Sequence, residues 1–282
     1  MGTYQRILTH DFIPFDPLAL AKETEKKITR MGPDGLERKY TGIYSAPVYG
    51  GIATGYAVGC CLRCIYCWSN WSRDFPERFG KFYSPKQVSK ALINAAEGGI
   101  TSPGWERFSD INVNKLRISG CEPTLAKEHM LPTLEYVTKS TYPLFILETN
   151  GILLGSDKNY VKRLARFSEK LYVRVSLKAA TSEGFTQRTG SIGTFYELPF
   201  RALKYLMGEG IYCRAAAMTD PKVMPGEERE ILLNKLSQID LELATDLEEE
   251  QMDAYETTMS RLKAFQDKSF LKKLEQKILK RR

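Results

Sequence analysis

Four thiols crowd into one short stretch, Gly59-Cys60-Cys61-Leu62-Arg63-Cys64-Ile65-Tyr66-Cys67. Cys60, Cys64 and Cys67 are separated by three residues and then by two. A loop of that length can set three thiolates around one face of a [4Fe–4S] cubane. Such a cluster has four irons and normally takes four thiolates. Three thiolates therefore leave one iron open to a non-protein ligand, which is what Lewis-acid or inner-sphere electron-transfer chemistry requires. Other thiol chemistries fit less well. The cysteines are too crowded for a sensible set of disulfide staples. Structural zinc wants four protein ligands, and the chain has no second C-x-x-C and only two histidines, His10 and His129. A thioredoxin-like Cys64-x-x-Cys67 leaves Cys60 without a role. Cys61, Cys64 and Cys67 form a second plausible ligand set.

A loop of this kind needs a rigid frame, and the flanking pattern supplies one. Residues 50–58 alternate small and apolar side chains and read as a buried strand feeding the loop, with glycines at 50, 51, 55 and 59. Ser84-Pro85 starts a helix that carries Val88, Ala91, Leu92 and Ala95 on one face. A second strand over 114–119 runs into Gly120-Cys121-Glu122-Pro123, and a helix with Leu131, Leu134 and Val137 follows. The third strand, 144–148, ends in Thr149-Asn150-Gly151 before a helix over 158–168. The fourth, 171–178, is apolar and β-branched, as a buried parallel strand should be. Ser176 and Lys178 lie two apart and share a face at its end. A helix over 194–208, a strand over 211–218, a helix over 226–236 and a weak sixth strand near 241–244 complete about six β/α units. Strand and helix alternating with short connections predict parallel pairing.

Cys60-x-x-x-Cys64-x-x-Cys67, with aromatic Tyr66 before the last cysteine, resembles the signature of the radical S-adenosylmethionine superfamily. The resemblance covers roughly residues 45–240, and the small activating-enzyme-like members are the subgroup it suggests most. It selects Cys60, Cys64 and Cys67 as cluster ligands and leaves Cys61 as a packed or spare thiol. It implies a [4Fe–4S] cluster and S-adenosylmethionine as cofactors, with the open iron chelated by the amino and carboxylate groups of the methionine moiety. The implied fold is an α/β, incomplete and open (β/α)6 partial TIM barrel of parallel strands. Residues 1–43 would be an N-terminal lead-in, 44–246 the core, and 247–282 a basic amphipathic helical extension.

Cofactor contacts follow from the same resemblance. Tyr66 belongs to the cysteine motif. Gly120-Cys121-Glu122-Pro123 resembles the family's Gly-Gly-Glu-Pro segment, whose strand edge and glutamate hold the methionine ammonium; here a cysteine replaces the second glycine. Gly120, Glu122 and Pro123 are accordingly expected at the cofactor. Cys121 could also close the fourth iron, which the resemblance argues against. Asn150 sits in a turn that recurs at this place in relatives. Ser176-x-Lys178 matches a pattern that contacts the cofactor's ribose or carboxylate, and Phe185 to Gly190 resembles a Thr-Gly segment of the same subgroup. Arg214, a lone cation in a small-residue strand, is a candidate for the methionine carboxylate or the substrate.

Composition bounds the rest. The chain has 282 residues, 43% apolar and 11% aromatic, enough for one large domain or two small ones. No apolar run is long enough to span a membrane, and Met1 leads no signal-like segment, so a soluble cytoplasmic protein is expected. The net charge is +7, and from Arg261 onward nine cations face two anions, which accounts for the whole excess. That end reads as an amphipathic helix broken near Asp267, acidic at its start in Glu248-Glu249-Glu250. The leading functional expectation is a radical enzyme that abstracts hydrogen from a protein, served by a reducing donor such as ferredoxin or flavodoxin. An RNA-modifying radical enzyme using the basic tail is the second reading. A non-catalytic iron–sulfur or zinc scaffold is the third.

Overall fold

The computed structural model describes residues 4–100 and 104–280. Helix α1 (Pro17–Ile28) opens the fold. Asp16 caps it, its carboxylate accepting from the Leu18 amide at 2.7 Å, and Pro17 sits at the first helical turn, where a missing N–H costs nothing. A hairpin follows, β1 (Thr29–Gly32) and β2 (Gly35–Ala46). Pro33 and Asp34 are the hairpin connection. Strand β2 pairs antiparallel with β3 (Ile52–Ala57) and with the short β4 (Lys81–Tyr83).

Strand β3 is the first of six parallel strands. After α2 (Pro85–Glu97) come β5 (Lys115–Gly120), α3 (Lys127–Thr138) and β6 (Leu144–Thr149). Next are α4 (Ile152–Ser156), α5 (Lys158–Leu164), β7 (Leu171–Leu177), α6 (Ser182–Thr189), α7 (Glu197–Gly208) and β8 (Tyr212–Met218). Helices α8 (Gly226–Ser237) and α9 (Leu241–Thr245), strand β9 (Glu248–Glu250), and helices α10 (Glu256–Gln266) and α11 (Lys268–Lys280) end the chain. The sheet order is β1-β2-β3-β5-β6-β7-β8-β9, with β4 on β2, and among the described residues it does not close. This is the open α/β partial barrel that the family resemblance implies, with the parallel pairing that the strand and helix alternation predicts.

Period-two alternation assigns the two faces of the sheet. Leu116, Ile118, Phe145, Leu147, Val173 and Val175 turn outward into one core with the apolar stripes of the helices. On the other face Ile52, Ile146 and Tyr172 plug the bottom. Above the plug lies a polar layer. Arg117 reaches Thr54 at 2.9 Å and Glu148 at 2.9 Å, and Arg174 reaches Glu248 at 2.6 Å and Glu250 at 2.8 Å. Charges at this depth persist only because they are paired.

Two expectations about the C-terminal third are corrected. The weak strand near 241–244 is helix α9, capped by Asp240. The sixth parallel strand is the acidic run 248–250, which was expected to begin a helix. Glu248 and Glu250 point inward to Arg174, while Glu249 points outward to Arg229 at 2.7 Å. That alternation of partners is a strand's, and it outweighs the affinity of acids for a helix start. The expected boundary at 43/44 falls inside β2, and the one at 246/247 falls just before β9, so both flanking segments contribute strands to the sheet. No helix among the described residues is long and apolar enough to cross a membrane.

Candidate metal centre and cofactor cavity

The cysteine loop leaves β3 through Gly59, whose backbone has φ +83°. A Cβ there would lie 2.6 Å from the Thr24 methyl and 3.0 Å from Ile28, both on α1, so only glycine lets the helix pack on the loop. The loop is pinned from several sides. Its Arg63 and Ile65 amides donate to the carbonyls of Thr189 and Arg188, at 3.0 and 2.9 Å, which gives the Thr-Gly segment a structural task. The Glu122 amide donates to the Gly59 carbonyl at 2.9 Å, joining the β5 turn to the loop.

Beneath the loop lies a buried cationic base that sequence reasoning missed. Arg63 donates to the Cys60 carbonyl at 2.8 Å, Arg73 to the Cys64 carbonyl at 2.6 Å, and Arg261 to the Cys67 carbonyl at 2.5 Å. Asp74, fully buried, pairs with Arg73 at 2.5 Å and Arg261 at 2.6 Å. Burial works against its carboxylate, but Arg261, Arg73 and Arg63 hold it down to about 2. Three buried guanidiniums thus face one carboxylate. The positive surplus suits an anionic group bound by thiolates. Arg63 could have been suspected from its place inside the motif; nothing in the local sequence marks Arg73 or Arg261.

Cys60, Cys64 and Cys67 all line one cavity of about 420 Å3 at the C-terminal ends of the parallel strands. Cys61 does not line it. Asn150 explains part of the difference, donating from its amide to Cys61 Sγ at 3.3 Å and to Cys60 Sγ at 3.7 Å. The hydrogen bond from Cys61 holds Cys60 down to about 7, while the same pairing pushes Cys61 well up. Against the cost of burial, Arg73 and then Arg261 draw Cys67 below the ordinary thiol range. Burial pushes Cys64 and Cys121 up to about 12.

Among the described residues no three Cys, His, Asp or Glu side chains converge as ligands of one metal ion do. A cubane makes a different demand, since each thiolate binds its own iron around a shared space. The three motif thiols, lining one cavity together with Cys121 over a cationic base, fit that demand. So does the Tyr66 hydroxyl, which is buried at the cavity wall with no hydrogen-bond partner.

The other expected residues divide. Gly120, Asn150, Ser176 and Lys178 line the same cavity, as does Cys121. Gly120 has φ +99°, and Ser69 donates to its carbonyl at 3.1 Å. Lys178 donates to Ser176 and has no carboxylate partner among the described residues. Glu122 and Pro123 do not line the cavity. The Glu122 carboxylate is fully buried and already filled: it accepts from the Thr124 hydroxyl at 2.6 Å, the Thr149 hydroxyl at 2.7 Å and the Asn150 amide at 2.7 Å. It ties the ends of β5 and β6 together instead of offering a free oxygen. Arg38 from β2 holds the carbonyls of Glu122, at 2.7 Å, and Pro123. Arg214 lies near the start of β8, not its active end, and pairs with Asp246 at 3.0 Å and the Tyr212 hydroxyl at 2.8 Å. Its in-register neighbour Arg174 lines the cavity in its stead. Of the aromatics after the loop, Trp71 and Phe75 pack under α11 and only Trp68 lines the cavity. A second cavity of about 790 Å3 adjoins the first, sharing Trp68, Ser119, Glu148, Arg174, Glu250 and Asp253 with it.

The sequence model of the Radical SAM superfamily matches residues 56–234. Among solved structures, the chain is similar to Streptococcus suis SuiB bound to its precursor peptide SuiA, with 16% identity and a TM-score of 0.54 over 82% of this chain and 46% of that one. SuiB bound to S-adenosylmethionine gives 17% identity and a TM-score of 0.52 over 82% and 47%. A radical SAM methyltransferase from Sphaerobacter thermophilus gives 12% identity and a TM-score of 0.50 over 83% and 74%. The chain thus spans about half the length of SuiB, and at these identities the likeness is one of fold. No curated protein sequence matches the chain.

Proposed function

Because the chain belongs to the radical SAM superfamily, whose cofactors are a [4Fe–4S] cluster and S-adenosylmethionine, we propose that it is an enzyme that abstracts hydrogen from a side chain of a peptide or protein. When bound, the reduced cluster and S-adenosylmethionine supply a 5′-deoxyadenosyl radical. The chain's own residues do the positioning. Cys60, Cys64 and Cys67 would hold the cluster, and the Arg63, Arg73 and Arg261 guanidiniums would offset its charge through the loop backbone. Lys178, a cation of the inner cavity with no carboxylate partner among the described residues, would take the methionine carboxylate. Tyr66 would wall the cofactor's cavity, and Asn150 orients Cys60. A reducing donor such as ferredoxin or flavodoxin supplies the electron.

The observation that carries a large substrate is the outer cavity. It opens directly beside the cofactor cavity, and the unclosed sheet leaves it accessible from the surface. SuiB, similar in fold, was solved with a precursor peptide bound. Anaerobic reconstitution with iron and sulfide, reduction, and assay of 5′-deoxyadenosine beside Cys64→Ala tests the chemistry. Peptides should raise product above the substrate-free rate. Turnover of a free small metabolite by the protein alone would count against the peptide reading. The RNA reading keeps one observation, the exposed lysines Lys272, Lys273, Lys277 and Lys280 on α11. It predicts RNA affinity that weakens steeply with salt and with their replacement by glutamine.

A further inference from the structure

The outer cavity has a wall of unusual chemistry. Tyr44 and Tyr56 stack there with ring centroids 4.6 Å apart. Trp68 and Tyr255 stand 6.5 Å apart and tilted by 47°, an open V at the junction with the cofactor cavity. Trp68 is 47% exposed and Tyr255 57%, more ring surface than packing explains.

The charges of the same wall are nearly all satisfied. Arg117 pairs with Glu148, Arg174 with Glu248 and Glu250, and Glu256 with Lys277 at 3.7 Å. Asp253 is the exception. It is exposed, lines both cavities, and has no ion pair or hydrogen bond among the described residues. It lies two residues from Tyr255, so the free carboxylate and the open V belong to one short segment after β9.

We propose that Trp68, Asp253 and Tyr255 form a subsite for a cationic side chain, lysine or arginine, of a peptide substrate. The proposal rests on the peptide reading above and deepens it. An ammonium or guanidinium over indole and phenol faces is attracted by their quadrupoles, and a free carboxylate beside them supplies the countercharge. Trp68 follows Cys67 directly, so a side chain seated against it is held at the rim of the cofactor cavity. A polyanion finds the opposite: the unpaired charge of the outer wall is negative, and its cations are spent on carboxylates. The chain as a whole carries +7, so diffuse attraction works against a cationic peptide and cannot imitate the subsite.

The test is fluorescence-anisotropy titration of the full chain with fluorescein-labelled glycine–alanine nonapeptides whose three central residues are lysine, norleucine or glutamate. A single-stranded nine-nucleotide RNA is the fourth probe. The lysine peptide should bind about tenfold more tightly than the norleucine peptide, the size expected of a cation–π contact and an ion pair together. Asp253→Asn and Trp68→Leu should each bring the two within about twofold, and Asp253→Glu should restore the preference. No lysine preference, or one that survives Asp253→Asn, overturns the subsite while peptide binding itself leaves the peptide reading standing. RNA that binds more tightly than every peptide and displaces them overturns that reading as well.

Discussion

Arg261, on α10, donates to the carbonyl of Cys67 at 2.5 Å, so the last cysteine of the motif is held from 194 residues away. The same guanidinium takes the carbonyls of Ser69 and Asn70 and pairs with Asp74 inside the fold. Its exposure is 1% and that of Asp74 is 0%. Removing Arg261 leaves Asp74 with Arg73 alone and three loop carbonyls without their donor, which costs about 1–3 kcal/mol. Arg261→Met should lower stability by that amount in chemical denaturation. It should also lower the iron retained after reconstitution and desalting, because the loop loses its floor. Iron content equal to wild type would show that the loop holds its shape without the α10 contact.

The two overlapping cysteine triads make opposite predictions. Cys60 lines the cavity with Cys64 and Cys67, whereas Cys61 is turned to Asn150. Cys61→Ala should keep the iron of the reconstituted protein near wild type, and Cys60→Ala should lose most of it. Iron and sulfide analysis with the visible absorption of the cluster decides between them. The reverse pattern would assign the second triad.

Lys178 is the inner cavity's cation without a carboxylate partner. If it takes the cofactor's carboxylate, Lys178→Gln should weaken S-adenosylmethionine binding by about tenfold or more, the scale of one charge-assisted hydrogen bond. Equilibrium dialysis under anaerobic conditions measures this directly. Arg214→Gln, a change of the same charge at a residue away from the cavity, should leave the affinity near wild type.

His129 gives the fold an acid-sensitive point. Its ring is buried against Tyr40, at 3.1 Å, and burial lowers its pKa from 6.5 to about 4. The unfolded chain therefore binds a proton between those values that the folded chain refuses. Stability from this group is fully present above pH 6.5 and is lost as pH falls toward 4, by on the order of 3 kcal/mol. Urea denaturation of cluster-free protein at pH 7 and pH 5 should show the loss, and His129→Gln should flatten it. An equal slope in both proteins would place the acid sensitivity elsewhere.

Much of the site was legible because it is written at short range. Gly59 to Cys67 is one loop, Gly120 and Cys121 sit at the end of one strand, and Ser176 and Lys178 lie two apart at the end of another, so spacing carries the proximity within each segment, and the family resemblance carried their meeting at one site. Glu122 and Arg214 show where that stops. Both lie at places where a cofactor contact was expected, yet Glu122 is filled by Thr124, Thr149 and Asn150, and Arg214 is taken by Asp246. A side chain's chemistry is visible in sequence; whether a neighbour has already used it is not.

The sequence by itself determined the alternation of strands and helices, their parallel pairing and the thiols grouped in one loop, because periodicity and spacing are local properties of the chain; that the sheet stays open was implied by the resemblance of the cysteine motif. Tertiary structure decided that an acidic run is the sixth strand and that a cation of the basic tail is a buried support of the loop. Glu248 and Glu250 become a strand because Arg174 waits across the barrel, and Arg261 is buried because Asp74 and three loop carbonyls accept it. Charges reach such places only when folding brings their partners from distant sequence, and the energy of those pairings has no local signature.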